Sequence, residues 1–440
     1  MDHCNRDIYT KSSRKELSVV KMGFRKNPTV LSAMNTLQVS IGTLWYSEKN
    51  LVRAKQTVFD VTKNGGVADG KTDYSKAFTD AWTQACQKNG GGVILFPTGK
   101  YLVRPVILKG ECKGPIGLQI EGTLLAPQGV QSSVDMDHWI KFQHVDNLDI
   151  NGGGLLDGQG PSAWHHNNCL KDPKCKPLPA NLRFDFVTNL NIDHITSINS
   201  KNLHINLFAC RDVKVTNVNI SAPAESPNTD GIHIGSSSNV QILDSVIATG
   251  DDCISFSAGS SKINVSGVHC GPGHGMSIGS LGRGNNNNVS FVDIRNCSFV
   301  GTDNGVRIKT WAPSKQGTVS HVYVENIRMD QVKNPIVIDQ NYCPARRCSA
   351  TESSQIQIVD VKMINIWGTS STPNVVTLKC SETKPCQKIQ LRDINLSYNG
   401  PDGPAVSACS KVDVITDGKQ NPRACTKPVK QVPRNFDVLN

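Results

Sequence analysis

The sequence predicts an all-β fold: a right-handed parallel β-helix, or solenoid, with one short N-terminal capping helix. Short runs of alternating apolar residues recur along it, among them LHINLFAC, VKVTNVNI, VQILDSVI, KINVSGVHC, VSFVDIRNCSF, VSHVYVENIRM, IQIVDVKMINI and KIQLRDINL. Most begin roughly 23 to 30 residues apart, inside the range of repeat architectures, and an Asn or Asp turn residue accompanies each. The 37 Gly, 22 Pro and 6% aromatic residues suit many short strands joined by tight turns. A Greek-key sandwich would want hairpin turns every 8 to 12 residues or so and no constant longer period. The 440 residues have room for two or three average domains; the repeat argues for one, because a solenoid is not bound by the usual core size.

Residues 1–55 hold scattered Lys and Arg without the clean apolar core of a secretory signal; the best stretch, Val30 to Trp45, is broken by Ser, Asn, Thr and Gln. They are expected to be an atypical leader or a disordered segment, with a pro-segment or internal address as the alternative. The catalytic domain is expected over 56–428. It opens with VFDVTKNGGVADGKTDYSKAFTDAWTQAC, a strand, a Gly-Asp turn and then a helix with Asp73 as N-cap. Ala77, Phe78, Ala81, Trp82 and Ala85 recur at helical spacing and predict a buried stripe, so this helix should cover the first coil. From about Leu118 the strand theme repeats to the C-terminal end. NGGGLLDGQG lacks a following helix or Lys-Ser/Thr terminus and reads as coil turns, not a phosphate loop. The stretch 429–440 reads as a basic tail, and no run approaches the 18 or so apolar residues of a membrane span.

Four polar clusters stand in order: Asn228-Thr229-Asp230, Gly250-Asp251-Asp252, Gly273-His274-Gly275 and Arg307-Ile308-Lys309. Three carboxylates, an imidazole and two permanent cations can protonate a leaving group, activate water and hold an anionic substrate. Asp230 and Asp251 are 21 residues apart and Asp252 and His274 are 22 apart, about one coil each, so the groups should line one strip of surface. Carboxylates so stacked cannot all ionise cheaply, and one should be pushed up in pKa. The bland alternative is that each Asp merely shapes a turn. Arg307 and Lys309 flank Ile308, so on a strand they share a face while the isoleucine turns inward; two cations there suit a carboxylate.

With these motifs intact in SPNTDGIHI, TGDDCISF, GPGHGMSIGSLG and NGVRIKTW, the chain resembles the polygalacturonases and related pectin-degrading glycoside hydrolases, from about Val58 to about Cys425. The plant members are most similar, and the AWTQAC and GPGHGMSIGSLGR wording is similar to the pollen-type exo-acting branch. The resemblance implies metal-free hydrolysis of α-1,4-linked galacturonan in polygalacturonate or pectin, with exo action favoured over endo. It implies that Asp251 is the general acid and that Asp230 and Asp252 orient and deprotonate water. His274 would tune the acid or position substrate, and Asn228, Arg307, Lys309 and Tyr342, the last in IDQNYCP, would bind substrate. It also implies inversion at the anomeric carbon. Coil spacing of about 4.8 Å points the other way, toward the roughly 5 to 5.5 Å carboxylate separation of retaining enzymes; the third carboxylate, which helps hold a water, favours inversion. The alternatives are a catalytically silent β-helix that binds pectin, a related pectin-backbone hydrolase, and a calcium-dependent lyase, which would need metal carboxylates and a basic proton abstractor.

The net charge of +10 concentrates polyanions without choosing among them. Neither a nucleic-acid motif nor a basic helix accompanies it, so a polyuronate partner is expected, with no nucleic acid, no membrane and no cofactor, and a monomer. Fifteen cysteines predict disulfides and a secreted, extracellular or cell-wall enzyme. The close pairs are Cys169/Cys175, Cys253/Cys270, Cys343/Cys348, Cys380/Cys386 and Cys409/Cys425, and an odd total leaves one cysteine without a partner, for which Cys4 is the candidate. Their spacings lack the pattern of zinc sites. Sequons begin at Asn219, Asn264, Asn288, Asn296 and Asn395. His165 and His166 read as a surface loop.

Overall fold

The computed structural model describes residues 56–64, 67–130, 137–167, 175–344 and 352–425. Helix α1 (Ser75–Gln87) buries Phe78, Ala81, Trp82 and Ala85 on the expected stripe. Asp73, expected as its N-cap, lies one residue outside; Tyr74 takes the cap position, and Asp73 accepts instead from the Ser75 N–H at 2.9 Å. Phe78 meets Phe96 edge-on at 5.0 Å, and Trp82 leans on Phe142 at 5.6 Å while its Nε1 donates to the Lys109 carbonyl at 3.0 Å. The helix therefore covers apolar rings that a first coil would otherwise leave open.

Two parallel sheets make the solenoid. The 11-stranded sheet carries the site and takes its strands in chain order. They are β1 (Val106–Lys109), β2 (His138–Gln143), β3 (Ala180–Asp185), β4 (Ile205–Phe208), β5 (Ile232–Gly235), β6 (Ile254–Phe256), β7 (Met276–Leu281), β8 (Asn304–Trp311), β9 (Asn334–Tyr342), β10 (Asn374–Lys379) and β11 (Val406–Ser410). Strands with this order and all-parallel pairing are what coil-by-coil winding produces. A 21-stranded sheet supplies the rest of each turn.

Period-2 alternation turns into two interior columns. One runs Ile205, Ile232, Ile254, Met276, Val306, Ile336; the other runs Leu207, Ile234, Phe256, Ile278, Ile308, Ile338. All are buried, each stabilising the fold by about 1.5–3 kcal/mol relative to exposure. Ile232 faces Ile254 and Ile254 faces Met276, 22 residues on each time, whereas Ile336 faces Val376, 40 residues on, so the coils vary more than the expected 23 to 30. The abundance of Asn also has a structural reason. Asn189, Asn326 and Asn365 adopt positive φ within their strands, a conformation Asn tolerates, and bond from coil to coil: Asn189 to Asn147 at 2.6 Å, Asn365 to Asn326 at 2.8 Å.

Cys253–Cys270, Cys380–Cys386 and Cys409–Cys425 are bonded as expected. Cys86–Cys112, absent from the expected pairs because its partners lie 26 residues apart, ties the end of α1 to the next coil. Cys4, Cys169 and Cys348, like the expected leader and the basic tail, lie outside the described residues. The expectation of a single leftover cysteine is corrected: Cys210 and Cys297 are both unpaired and buried, and burial pushes their thiols up to about 11 and about 12. Because the Cys253–Cys270 bond spans the coils that carry Asp252 and His274, Cys270→Ser should lower the unfolding free energy by about 2 kcal/mol, the low end for a native disulfide, since parallel ladders still hold both strands. An unchanged urea midpoint would reject this.

Candidate active site

Asp230, Asp252 and His274 each stand two residues before the mutually facing Ile232, Ile254 and Met276, and Asn304 stands two before Val306. One column at the mouth of β5 to β8 therefore carries all of them. A second outward column follows within the strands: His233, Ser255, Ser277, Arg307. Parallel stacking sets the spacing and strand alternation sets the direction, since the residues between these columns belong to the buried stacks.

Asp252 is the most tightly held group. Its Oδ1 accepts from Ser277 Oγ at 2.7 Å and Arg307 Nη2 at 2.9 Å, and its Oδ2 accepts from Lys309 Nζ at 2.8 Å. Arg307 and Lys309 do share a face with Ile308 buried between them, as the alternation requires. In this structure, however, both cations point at Asp252. Asp251 lies nearer the surface: its Oδ1 accepts from His274 Nδ1 at 2.9 Å and from the Asp252 N–H at 2.8 Å, and its Oδ2 from Asn228 at a long 3.3 Å. His274 Nε2 lies 3.6 Å from Asp303. Asp230 is buried, with Oδ2 accepting from Ser255 Oγ at 2.7 Å.

The glycines beside His274 answer a backbone requirement. Gly273 and Gly275 have φ of 140° and 84°; a Cβ at Gly273 would stand 2.7 Å from the Asp251 carbonyl and one at Gly275 would overlap that of Asn304. They let the His274 turn sit flat on its neighbours and so bring Nδ1 to Asp251.

The carboxylates differ as stacked like charges should. Burial and then the Asp251 charge push Asp230 above the usual carboxylate range. Burial also pushes on Asp251, but its hydrogen bond and attraction to His274, followed by the charge of Lys309, bring it below that range. The bond to Asp251 in turn raises His274. Of the Asp230–Asp251 pair, Asp230 is therefore the carboxyl that binds a proton the more readily. One oxygen of Asp251, one of Asp252 and a ring nitrogen of His274 lie within 4.8 Å of one another, a grouping able to hold a cation. Lys309 and Arg307 already occupy the Asp252 side of it.

Tyr342 ends β9 and faces Trp311, its ring 5.2 Å away and edge-on, with Lys309 Nζ 5.5 Å from the Tyr342 centroid. All eight expected residues thus gather along β5 to β9. Several partners escaped sequence reasoning: His233, Ser255, Ser277, Asn304, Asp303, Trp311, and Arg283, which lies 3.3 Å over the Trp311 ring. The column of His233, Ser255, Ser277 and Arg307 could have been found by counting one residue past each of the facing Ile232, Ile254, Met276 and Val306. His165 and His166 are exposed in a short 3-10 turn, yet the next residue, Asn167, donates to Asn228 at 3.0 Å and so braces the site.

The model of glycosyl hydrolases family 28 matches residues 86–425. A polygalacturonase of Gossypium hirsutum is 44% identical over 383 residues, 87% of this chain and 94% of its own length. An exopolygalacturonase of Arabidopsis thaliana (clone GBGA483) is 46% identical over 376 residues, 85% of this chain and 84% of its own. Among solved structures, endo-xylogalacturonan hydrolase from Aspergillus tubingensis shares the fold with a TM-score of 0.66 at 23% identity, covering 81% of this chain and 95% of that one. The polygalacturonase of Erwinia carotovora ssp. carotovora does so at 0.60 and 24%, covering 82% and 96%.

Proposed function

This chain belongs to glycosyl hydrolases family 28, and from that premise we propose how it hydrolyses the α-1,4-galacturonosyl linkages of polygalacturonate. The observation that carries the reading is the cluster of three carboxylates with the buried Lys309 and the half-buried Arg307 on one strip of the sheet. A silent pectin binder would gain nothing from keeping Asp251 in contact with His274 and Asp252 in contact with Lys309.

Asp251 protonates the glycosidic oxygen as its bond to the anomeric carbon breaks. Water attacks the opposite face and gives its proton to Asp230, with Asp252 holding that water in line. Asp230 binds a proton more readily than Asp251 in the free site, so substrate must reverse that order. A galacturonate carboxylate that engages Lys309 and Arg307 weakens their hold on the carboxylates, brings its own negative charge and excludes water; all three effects raise Asp251. The proton then belongs on Asp251 and leaves Asp230 ionised, as a base must be. Arg307 and Lys309 therefore serve Asp252 first and substrate second, and Tyr342 and Trp311 flank the sugar.

Removal of terminal units is favoured because several similar relatives are named exopolygalacturonases. Disulfide-bonded coils favour an oxidising, extracellular location, and we read the enzyme as a monomer acting without a cofactor. Among the described residues no helix is long and apolar enough to cross a membrane. On purified polygalacturonate the product should be monomer alone, and proton NMR should show the β anomer first. A ladder of oligomers overturns exo action, first-formed α product overturns inversion, and no release of reducing ends overturns the reading itself.

A further inference from the structure

His233 stands outside the carboxylate–His274 set, one coil upstream of Ser255 and in register with it. Its Nδ1 lies 2.7 Å from Ser255 Oγ, and the same hydroxyl lies 2.7 Å from Asp230 Oδ2. A serine hydroxyl has one proton. If that proton goes to the carboxylate, the hydroxyl must accept from His233, which requires the hydrogen on Nδ1. The two short contacts therefore define one directed chain, His233 Nδ1–H to Ser255 Oγ, then Ser255 O–H to Asp230 Oδ2. Ser255 is buried and His233 is 29% exposed at its side chain, so the chain runs from solvent to a buried carboxylate.

We propose that His233, acting through the Ser255 hydroxyl, is a positioning residue for Asp230: it holds one carboxylate oxygen as a hydrogen-bond acceptor and leaves Oδ1, which takes no hydrogen bond from any described residue, to receive the proton from water. The site then has two histidine–carboxylate pairs, one direct (His274 with Asp251) and one relayed (His233 with Asp230). This rests on the reading of Asp230 as the water-activating carboxylate. Among charged groups around His233, Asp230 is the one at ion-pair range, with Nδ1 3.7 Å from Oδ2. Asp251 and Asp252 precede β6, Arg307 and Lys309 lie on β8, and the facing residue on β4 is the neutral Asn206.

The test compares His233→Leu, His233→Asn, Ser255→Ala, the His233→Leu/Ser255→Ala double variant and Asp230→Asn as full-length protein, with melting curves to confirm folding. His233→Leu and Ser255→Ala should each lower kcat about tenfold with KM nearly unchanged, as the loss of one hydrogen bond to a charged group implies. The double variant should fall no further than Ser255→Ala, because both changes cut one path. His233→Asn, whose amide nitrogen takes the place of Nδ1, should recover most of the loss. Losing the donor also destabilises ionised Asp230, so the acid limb of kcat/KM should move to higher pH in His233→Leu and return in His233→Asn. Additive losses, or an acid limb that stays in place, would overturn the relay while an inactive Asp230→Asn leaves the role of Asp230 standing. An active Asp230→Asn would overturn both.

Discussion

Asp251→Asn should lower kcat by at least about 10²-fold with KM and melting temperature close to those of the parent, because the amide keeps the shape of the carboxyl but has no acidic proton for the leaving oxygen. The contacts argue for an intact fold. Asp251 is the least enclosed of the three carboxylates, and an asparagine oxygen can still accept from His274 Nδ1 and the Asp252 N–H, now 2.9 and 2.8 Å from Oδ1. The proton assignment adds a pH signature. With the site empty, His274 and Lys309 hold Asp251 low, and substrate raises it, so the limb marking loss of the Asp251 proton should lie at higher pH in kcat than in kcat/KM. Steady-state kinetics across the acid range checks both. Near-parental turnover in the variant removes Asp251 as the acid, and coincident limbs remove substrate-driven protonation.

Lys309→Ala should act on chemistry and stability together. Read as an exposed clamp for substrate, Lys309 would affect mainly KM, and added salt would weaken the parent's advantage. Its position changes that expectation: the side chains of Lys309 and Asp252 are only 9% and 3% exposed, and the ion pair is 2.8 Å long. Removing one partner strands a buried carboxylate, a loss of about 3 kcal/mol and the low end for such a break because Arg307 and Ser277 remain on the other oxygen. The carboxylate that orients water is also freed to turn, so kcat should fall about 10²-fold as well as KM rising, with little salt dependence in the parent because buried pairs are poorly screened. Denaturant melts and kinetics at two salt concentrations measure this. A variant altered in KM alone, at unchanged stability, would return Lys309 to the role of a surface clamp.

Most of the fold was legible because a solenoid repeats locally. The alternation within VQILDSVI or KINVSGVHC names the buried face, and the recurrence of such runs names the winding. The site was legible in its members for a related reason: one coil is about as long as the gap between NTD, GDD and GHG, so residues distant in sequence reveal their adjacency by spacing alone. The miscounts fall where coils are longer, as between Ile336 and Val376, and where a disulfide joins unlike elements, as at Cys86–Cys112.

The sequence by itself determined the winding, the family, the strip on which the polar clusters gather and the shared face of Arg307 and Lys309, all consequences of period and order. Only the tertiary structure decided which of these groups touch. Lys309 reaches Asp252 across 57 residues and Ser255 reaches Asp230 across 25. Each contact depends on side-chain direction within a column whose coils are about 4.8 Å apart, and a one-coil difference separates a cation that grips Asp252 from one left free of it. Which of Asp230 and Asp251 binds a proton the more readily followed from the same contacts, because burial pushes both upward and only Asp251 has His274 and Lys309 beside it to bring it down.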